Sequence, residues 1–322
     1  MTIPNNLNLN NINLLKTGNL FFHIGIFLLP SAFILSAFFL IFSLFISSLK
    51  SPSFFLDKWN IALLVSGIFM IFSCIISPFT QFNLNNYEYN NQLNWIGLLN
   101  WLPFFWFYWA VQIYLETKSA RKTCAGILLA GTVPVLFSGF GQYIFKWYGP
   151  LEFMNGLIIW YQKSPPNPFF DVLTGPFNNP NYTGVWLSTL LPFSLYFLVR
   201  HKKLFNKSIL LLFSISLIIA IILTYSRNAL IGIFLSFLLV IGINFKTFIG
   251  LIFLATFLIL IFFLFEFPIN FLSKFRNNPY FFNLIPENNK LSNILSFTRI
   301  NIWKTSIIQI INRPILGWGA SS

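Results

Sequence analysis

Eight long apolar runs divide this chain, at about residues 20–49, 60–80, 94–115, 123–145, 181–199, 208–225, 229–243 and 247–268. Most approach the ~20 residues a helix needs to cross a bilayer, and in lipid a helix satisfies its own backbone hydrogen bonds. A β-barrel would instead show alternating segments of about ten residues. The first run is too long for one plain helix, and Pro30-Ser31 interrupts it, which predicts two short helices meeting there. The expected fold class is all-α: a polytopic membrane protein with about 8–9 transmembrane helices. Residues 1–322 are expected to form a single membrane domain, with a polar tail at 1–19, transmembrane helices over 20–268, and the start of an outer loop at 269–322.

Only 8% of the residues are charged and 56% are hydrophobic, whereas a soluble domain carries roughly 25% charged residues. A water-soluble fold is therefore excluded. The formal charge of +13, from 20 Lys+Arg against 7 Asp+Glu, would suggest nucleic acid in a soluble protein. Here the basic residues sit singly or in small groups between spans, so they read as orientation signals, and no nucleic-acid partner is expected. Cys74 and Cys124 lack CxxC spacing, and His23 and His201 stand far apart. Neither a disulfide nor a metal site is indicated, and no cofactor is expected. The Asn-rich start has no cleavage-site pattern.

Loops 50–59, 116–122, 200–207 and 244–246 hold ten Lys and Arg residues, against three (Lys146, Lys163 and Arg227) in the interleaved loops 81–93, 146–180 and 226–228. The richer set is assigned to the cytoplasm. Arg227 then points outward from a very short loop, where positive charge is disfavoured. Such a charge is a functional candidate by default. The outer tail adds Lys274, Arg276, Lys290, Arg299, Lys304 and Arg313 against one acid, Glu287. An anion on the outer face would account for these, and a guanidinium presents a planar fork to phosphate oxygens.

Three motifs carry that idea. Gly175-Pro176-Phe177-Asn178-Asn179-Pro180-Asn181 precedes a span and reads as a turn with Asn178 or Asn179 capping a helix that begins at Pro180. Its outward N-terminus also offers free N–H groups to an anion. Ser226-Arg227 forms a hairpin tip, either a snorkelling arginine or a ligand contact. Arg299, Trp303 and the apolar positions after them read as an interfacial amphipathic helix held by Trp303, stopped at Asn312-Arg313-Pro314. Glu152 and Asp171 share the outer loop, but their spacing singles out neither as a base.

In this order the three motifs resemble the O-antigen ligase and O-antigen polymerase superfamily of bacterial inner-membrane proteins, over roughly residues 175–319. The resemblance implies a metal-independent glycosyltransferase of the membrane-embedded C-type architecture, with its active face periplasmic. Its donor is a glycan on undecaprenyl diphosphate, and its acceptor is a lipid, a second glycan or a protein; membrane lipids surround it. Arg227 and Arg299 match the arginines that hold the donor diphosphate, with Ser226, Asn181, Trp303 and Arg313 in support. Family members carry an acceptor-activating histidine in a large outer loop after the Gly-Trp-Gly turn, here Gly317-Trp318-Gly319. That histidine is expected beyond Ser322, and the chain is expected to be a fragment or truncated product. A membrane transporter for a small anion is the second reading; it calls for internal repeats and midplane charges, and neither is evident.

Overall fold

The computed structural model describes residues 9–50, 54–76, 91–164, 171–201, 203–242, 250, 306–307 and 310–311. Nine helices are described: α1 Leu9–Leu28, α2 Phe33–Ser48, α3 Lys58–Ile76, α4 Asn91–Ala110, α5 Lys118–Gly131, α6 Val133–Phe145, α7 Pro180–Arg200, α8 Leu204–Leu223 and α9 Arg227–Ile241. Short 3-10 turns at Phe54–Leu56 and Val111–Leu115 join them. Among the described residues, Lys58–Ile76, Trp95–Leu115, Lys118–Phe145, Pro180–Arg200 and Leu204–Leu223 are long and apolar enough to cross a membrane, and Phe33–Ser48 and Arg227–Val240 are shorter apolar helices. Large apolar side chains such as Phe33, Phe45, Leu212 and Leu239 stand exposed along them, as lipid-facing surface requires. The chain is a mostly helical, multi-pass membrane protein.

Two compact units are distinguished, residues 1–53 with 107–244, and residues 54–106 with 245–322. In the second unit α3 lies against α4 where Gly67 leaves room: a Cβ there would sit 3.2 Å from Leu102 and 3.6 Å from Phe105. Asp57 starts α3 by accepting the Trp59 amide at 2.9 Å.

The first unit carries the remaining elements. The chain turns at Leu29–Ala32, as Pro30 predicts. Gly25 packs on Leu40 and Gly18 on Ile46, so α1 and α2 run antiparallel. The buried Ser36 hydroxyl donates to the Gly25 carbonyl at 2.7 Å. Several expectations need correction. The polar tail at 1–19 is not all tail, because α1 begins at Leu9: once the chain enters a helix, intrahelical bonds carry it through Asn-rich sequence at little cost. The loop 116–122 is mostly helix, since Thr117 caps α5 by accepting the Ala120 amide at 3.1 Å. The run 123–145 is two helices, broken at Thr132 with Pro134 in the first turn of α6. The outer loop 146–180 holds a β-hairpin, which qualifies the all-α expectation; β1 Leu151–Phe153 pairs antiparallel with β2 Ile158–Trp160.

The core of this unit lies among α6, α7, α8 and α9, with Val135, Leu187, Leu191, Leu217, Ile221 and Ala229 buried. Leu173, from the segment after the hairpin, is fully buried in it. Together these contacts gather the α1–α2 corner, the hairpin, the segment 171–179 and the α8–α9 turn at one end of the unit. Trp160 Nε1 donates to the Ser31 carbonyl at 2.8 Å, Tyr161 N to Pro176 O at 3.1 Å and Leu173 N to Leu223 O at 3.0 Å. We call this end the hairpin face.

Candidate functional site

Besides α2, helices α7 and α9 begin at the hairpin face, and the N-termini of α7 and α9 adjoin. Asn179 Oδ1 accepts the Asn181 amide at 2.9 Å, and Pro180 takes the first helical position of α7, as the Asn-Asn-Pro pattern predicts. After α8, the chain reverses through Thr224-Tyr225-Ser226. Thr224 N bonds the carbonyls of Ala220 and Ile221, and Tyr225 is held at φ +51°, a left-handed conformation that is costly for a residue with a side chain. Helix α9 then starts at Arg227, so this arginine heads a helix and does not occupy a loop tip as the reading of 226–228 as a loop implied.

Glycine and serine set the spacing between the two. A Cβ on Gly184 would lie 2.8 Å from Ala229 Cβ, 3.0 Å from Ser226 Cβ and 3.1 Å from Thr224 Oγ1. One turn on, a Cβ on Gly232 would lie 2.7 Å from Ser188 Cβ, and Ser236 Oγ donates to Ser188 O at 3.4 Å. The contacts advance together along both helices, so α7 and α9 run parallel. Small residues of this kind let helix backbones approach closely in lipid. Both positive dipole ends therefore open on one face, side by side.

Ser226, the residue before α9, is 3% exposed. It makes no capping bond, and among the described residues its hydroxyl finds no partner. Leaving such a group unpaired costs about 1–3 kcal/mol. Arg227, Asn228 and Asn181 are exposed at the same end, and Arg227 has no hydrogen bond or ion pair to a described residue. The arrangement presents uncapped amides, an unsatisfied hydroxyl and a guanidinium together, which suits an anion with several oxygens.

The carboxylates behave differently. Asp171 is held by Lys146 Nζ and by Tyr148 OH at 2.9 Å. The hydrogen bond from Lys146, then that from Tyr148, holds its carboxyl below the ordinary carboxylate range. A group so engaged is a poor proton acceptor, and it reads as a clasp across the outer loop. Glu152 stands exposed on β1. His23 lies within α1 and His201 follows α7 at the opposite end. Among the described residues, no three His, Cys, Asp or Glu side chains gather where they could hold a metal ion.

Of the residues expected from sequence, Ser226, Arg227 and Asn181 are brought to one end. Arg299, Trp303 and Arg313 lie outside the described residues, as do the run 247–268 apart from Gly250 and most of the tail; Ser306, Ile307, Ile310 and Ile311 are described and helical. The inward-facing polar residues of α6, Ser138 and Gln142, were missed. Their i, i+4 spacing within an apolar run was the available signal.

No curated protein and no solved structure matches the chain. A family model described as O-Antigen ligase matches residues 212–322, from within α8 through Arg227 and Arg299 to the last residue, so the C-terminal third of the chain is similar to that family.

Proposed function

We propose that the chain is a membrane glycosyltransferase that moves a glycan from undecaprenyl diphosphate to a lipid, glycan or protein acceptor on the periplasmic face of the bacterial inner membrane. The observation that carries this is the pair of parallel helices whose N-termini adjoin, with Arg227 at the head of one. The family match, which spans both Arg227 and Arg299, supplies the chemistry.

The hairpin face is taken as periplasmic because the opposite end of the same unit carries Lys118, Arg121, Lys122, Arg200 and Lys203, while the described hairpin face carries Lys146, Lys163 and Arg227. The count of about 8–9 spans rests on the apolar runs of near-spanning length. In the reaction, the acceptor hydroxyl oxygen forms a bond to the anomeric carbon as the bond from that carbon to the phosphate oxygen breaks. The electron pair leaves on the diphosphate, and the hydroxyl proton passes to a base. The attack is from the side opposite the leaving group, so the sugar carbon inverts. Arg227 and Arg299 grip the diphosphate, with Ser226, Asn181, Trp303 and Arg313 in support. Charge grows on the diphosphate as the bond breaks, and preorganised donors aimed there lower the barrier.

Replacing Arg227 by alanine is the test. Loss of one such donor costs about 10²–10³ in rate, so transfer falls below detection while the protein still inserts. Arg227→Lys keeps the charge and loses the fork, and restores transfer only in part. Unchanged surface polysaccharide in the alanine variant removes the reading.

A further inference from the structure

We infer that Gln142 is a positioning residue for the diphosphate site, acting through the backbone that leads into α7; the inference rests on the reading of that site as a diphosphate grip. Gln142 is 2% exposed, on the inward face of the mostly apolar α6, one turn beyond Ser138. Its amide is fully used. Oε1 accepts the Thr174 amide at 2.9 Å and the Gly175 amide at 3.0 Å. Nε2 donates to Lys163 O at 2.8 Å and to Thr174 Oγ1 at 3.0 Å. One side chain thus ties both limbs of the outer loop to α6.

The consequence lies four residues further on. Gly175 is at φ +55°, and a Cβ there would come within 3.3 Å of Val135 O. The chain passes this point tightly against α6, then turns through Pro176 and Phe177 into the Asn179 cap. Thr183 on α7 donates its hydroxyl to Thr174 O, so the strut runs from Gln142 through Thr174 to the first turn of α7. Gly184 is the next residue, and it carries the contact with Ser226 and Ala229. Gln142 therefore fixes where the α7 N-terminus stands relative to Ser226 and Arg227, without being placed to touch the ligand.

A second buried glutamine supplies the control. Gln162 is also fully buried, and its side chain donates to Ser138 Oγ at 2.6 Å and Ser138 O at 3.2 Å. It bonds neither Thr174 nor Gly175 through its side chain. Removing it strips the same outer loop of a buried amide and leaves the strut in place.

The experiment compares wild-type chain, Gln142→Met and Gln162→Met in detergent or nanodiscs, measuring the Kd for undecaprenyl diphosphate, thermal unfolding, and amide exchange. Both variants are expected to unfold at lower temperature. Only Gln142→Met is expected to speed exchange in peptides covering 173–181 and to weaken binding, by roughly tenfold, equivalent to about 1.4 kcal/mol. Gln142→Glu keeps the acceptor for the two amides and, in its protonated form, a donor for Lys163 O; it serves where the methionine variant does not insert, and its loss is expected to be about threefold or less. Equal weakening by both methionine variants, unchanged binding by Gln142→Met, or a Gln142→Glu loss approaching tenfold overturns the positioning role. A folded wild-type chain that binds no undecaprenyl diphosphate overturns the reading of the site itself, and the inference with it.

Discussion

Adding a single methyl group at Gly184 tests whether the spacing of the two helix N-termini matters. A Cβ at Gly184 would stand 2.8 Å from Ala229 Cβ and 3.0 Å from Ser226 Cβ, whereas carbon atoms rest at about 3.5–4.0 Å. In Gly184→Ala, α7 and α9 must part by about 0.7–1.2 Å at the face where Arg227 sits. Overpacking of this kind costs about 1–3 kcal/mol, and alanine returns about 0.8–1.0 kcal/mol over glycine in a helix. The net expectation is a loss of about 0–2 kcal/mol. Gly126→Ala isolates the clash, because a Cβ there meets nothing within 4 Å and should gain the helical preference unopposed. The two variants should therefore differ by about 1–3 kcal/mol in thermal or denaturant unfolding. The functional effect should be larger than the stability effect, since misplacing a reacting group by about 1 Å can cost 10²-fold. Glycan transfer and undecaprenyl diphosphate binding are the assays. Equal stability of the two variants refutes the close approach of α7 and α9. A destabilised Gly184→Ala that binds the diphosphate as well as wild type refutes the link from spacing to function.

The clasp Lys146–Asp171 gives a prediction in pH. The Asp171 carboxyl is held below its ordinary value chiefly by the Lys146 hydrogen bond, so the clasp's contribution is present above that ordinary value and is lost as pH falls through the lower folded one. The same bond holds Lys146 above its ordinary value, so its contribution is present below that value and is lost as pH rises through the higher one. Amide exchange across residues 147–164, corrected for its intrinsic rate, should quicken at both extremes and be flat in Asp171→Asn; an unchanged acid limb in that variant rejects the clasp. Leu173→Ala empties a fully buried position beneath the segment 171–179 and should cost about 2–5 kcal/mol, read by unfolding; a loss below about 1 kcal/mol would mean the segment is not anchored there. Thr183→Val leaves the buried Thr174 carbonyl without its hydroxyl donor and should cost about 1–3 kcal/mol, with faster exchange at 173–181.

How far the sequence spoke depended on whether a residue's role was local or set by distant partners. Pro30 and the Asn179-Pro180 cap act on their own backbone, so the α1–α2 corner and the start of α7 were legible before any contact was known. The charge of Arg227 at a span end was legible for the same reason, since its cost comes from the bilayer. The parallel seam was not, because Gly184 and Gly232 look like ordinary glycines until Ser226, Ala229 and Ser188 are set against them. Gln142 was hidden in a different way. In an apolar run a lone amide reads as tolerated polarity, and only the facing amides of Thr174 and Gly175 reveal that it is a strut. The hairpin was missed because strands of three residues give period two too little length to show. The electrostatic part of the site, a cation and two helix ends, depends on residue types that a sequence displays. Its geometric part, the fixed separation of those ends, depends on missing side chains and a buried amide that show their purpose only across a fold. Substitutions at Arg227 should therefore change the strength of anion binding and its salt dependence. Those at Gly184 and Gln142 should leave the salt dependence alone and lower affinity by misplacing donors that keep their charge.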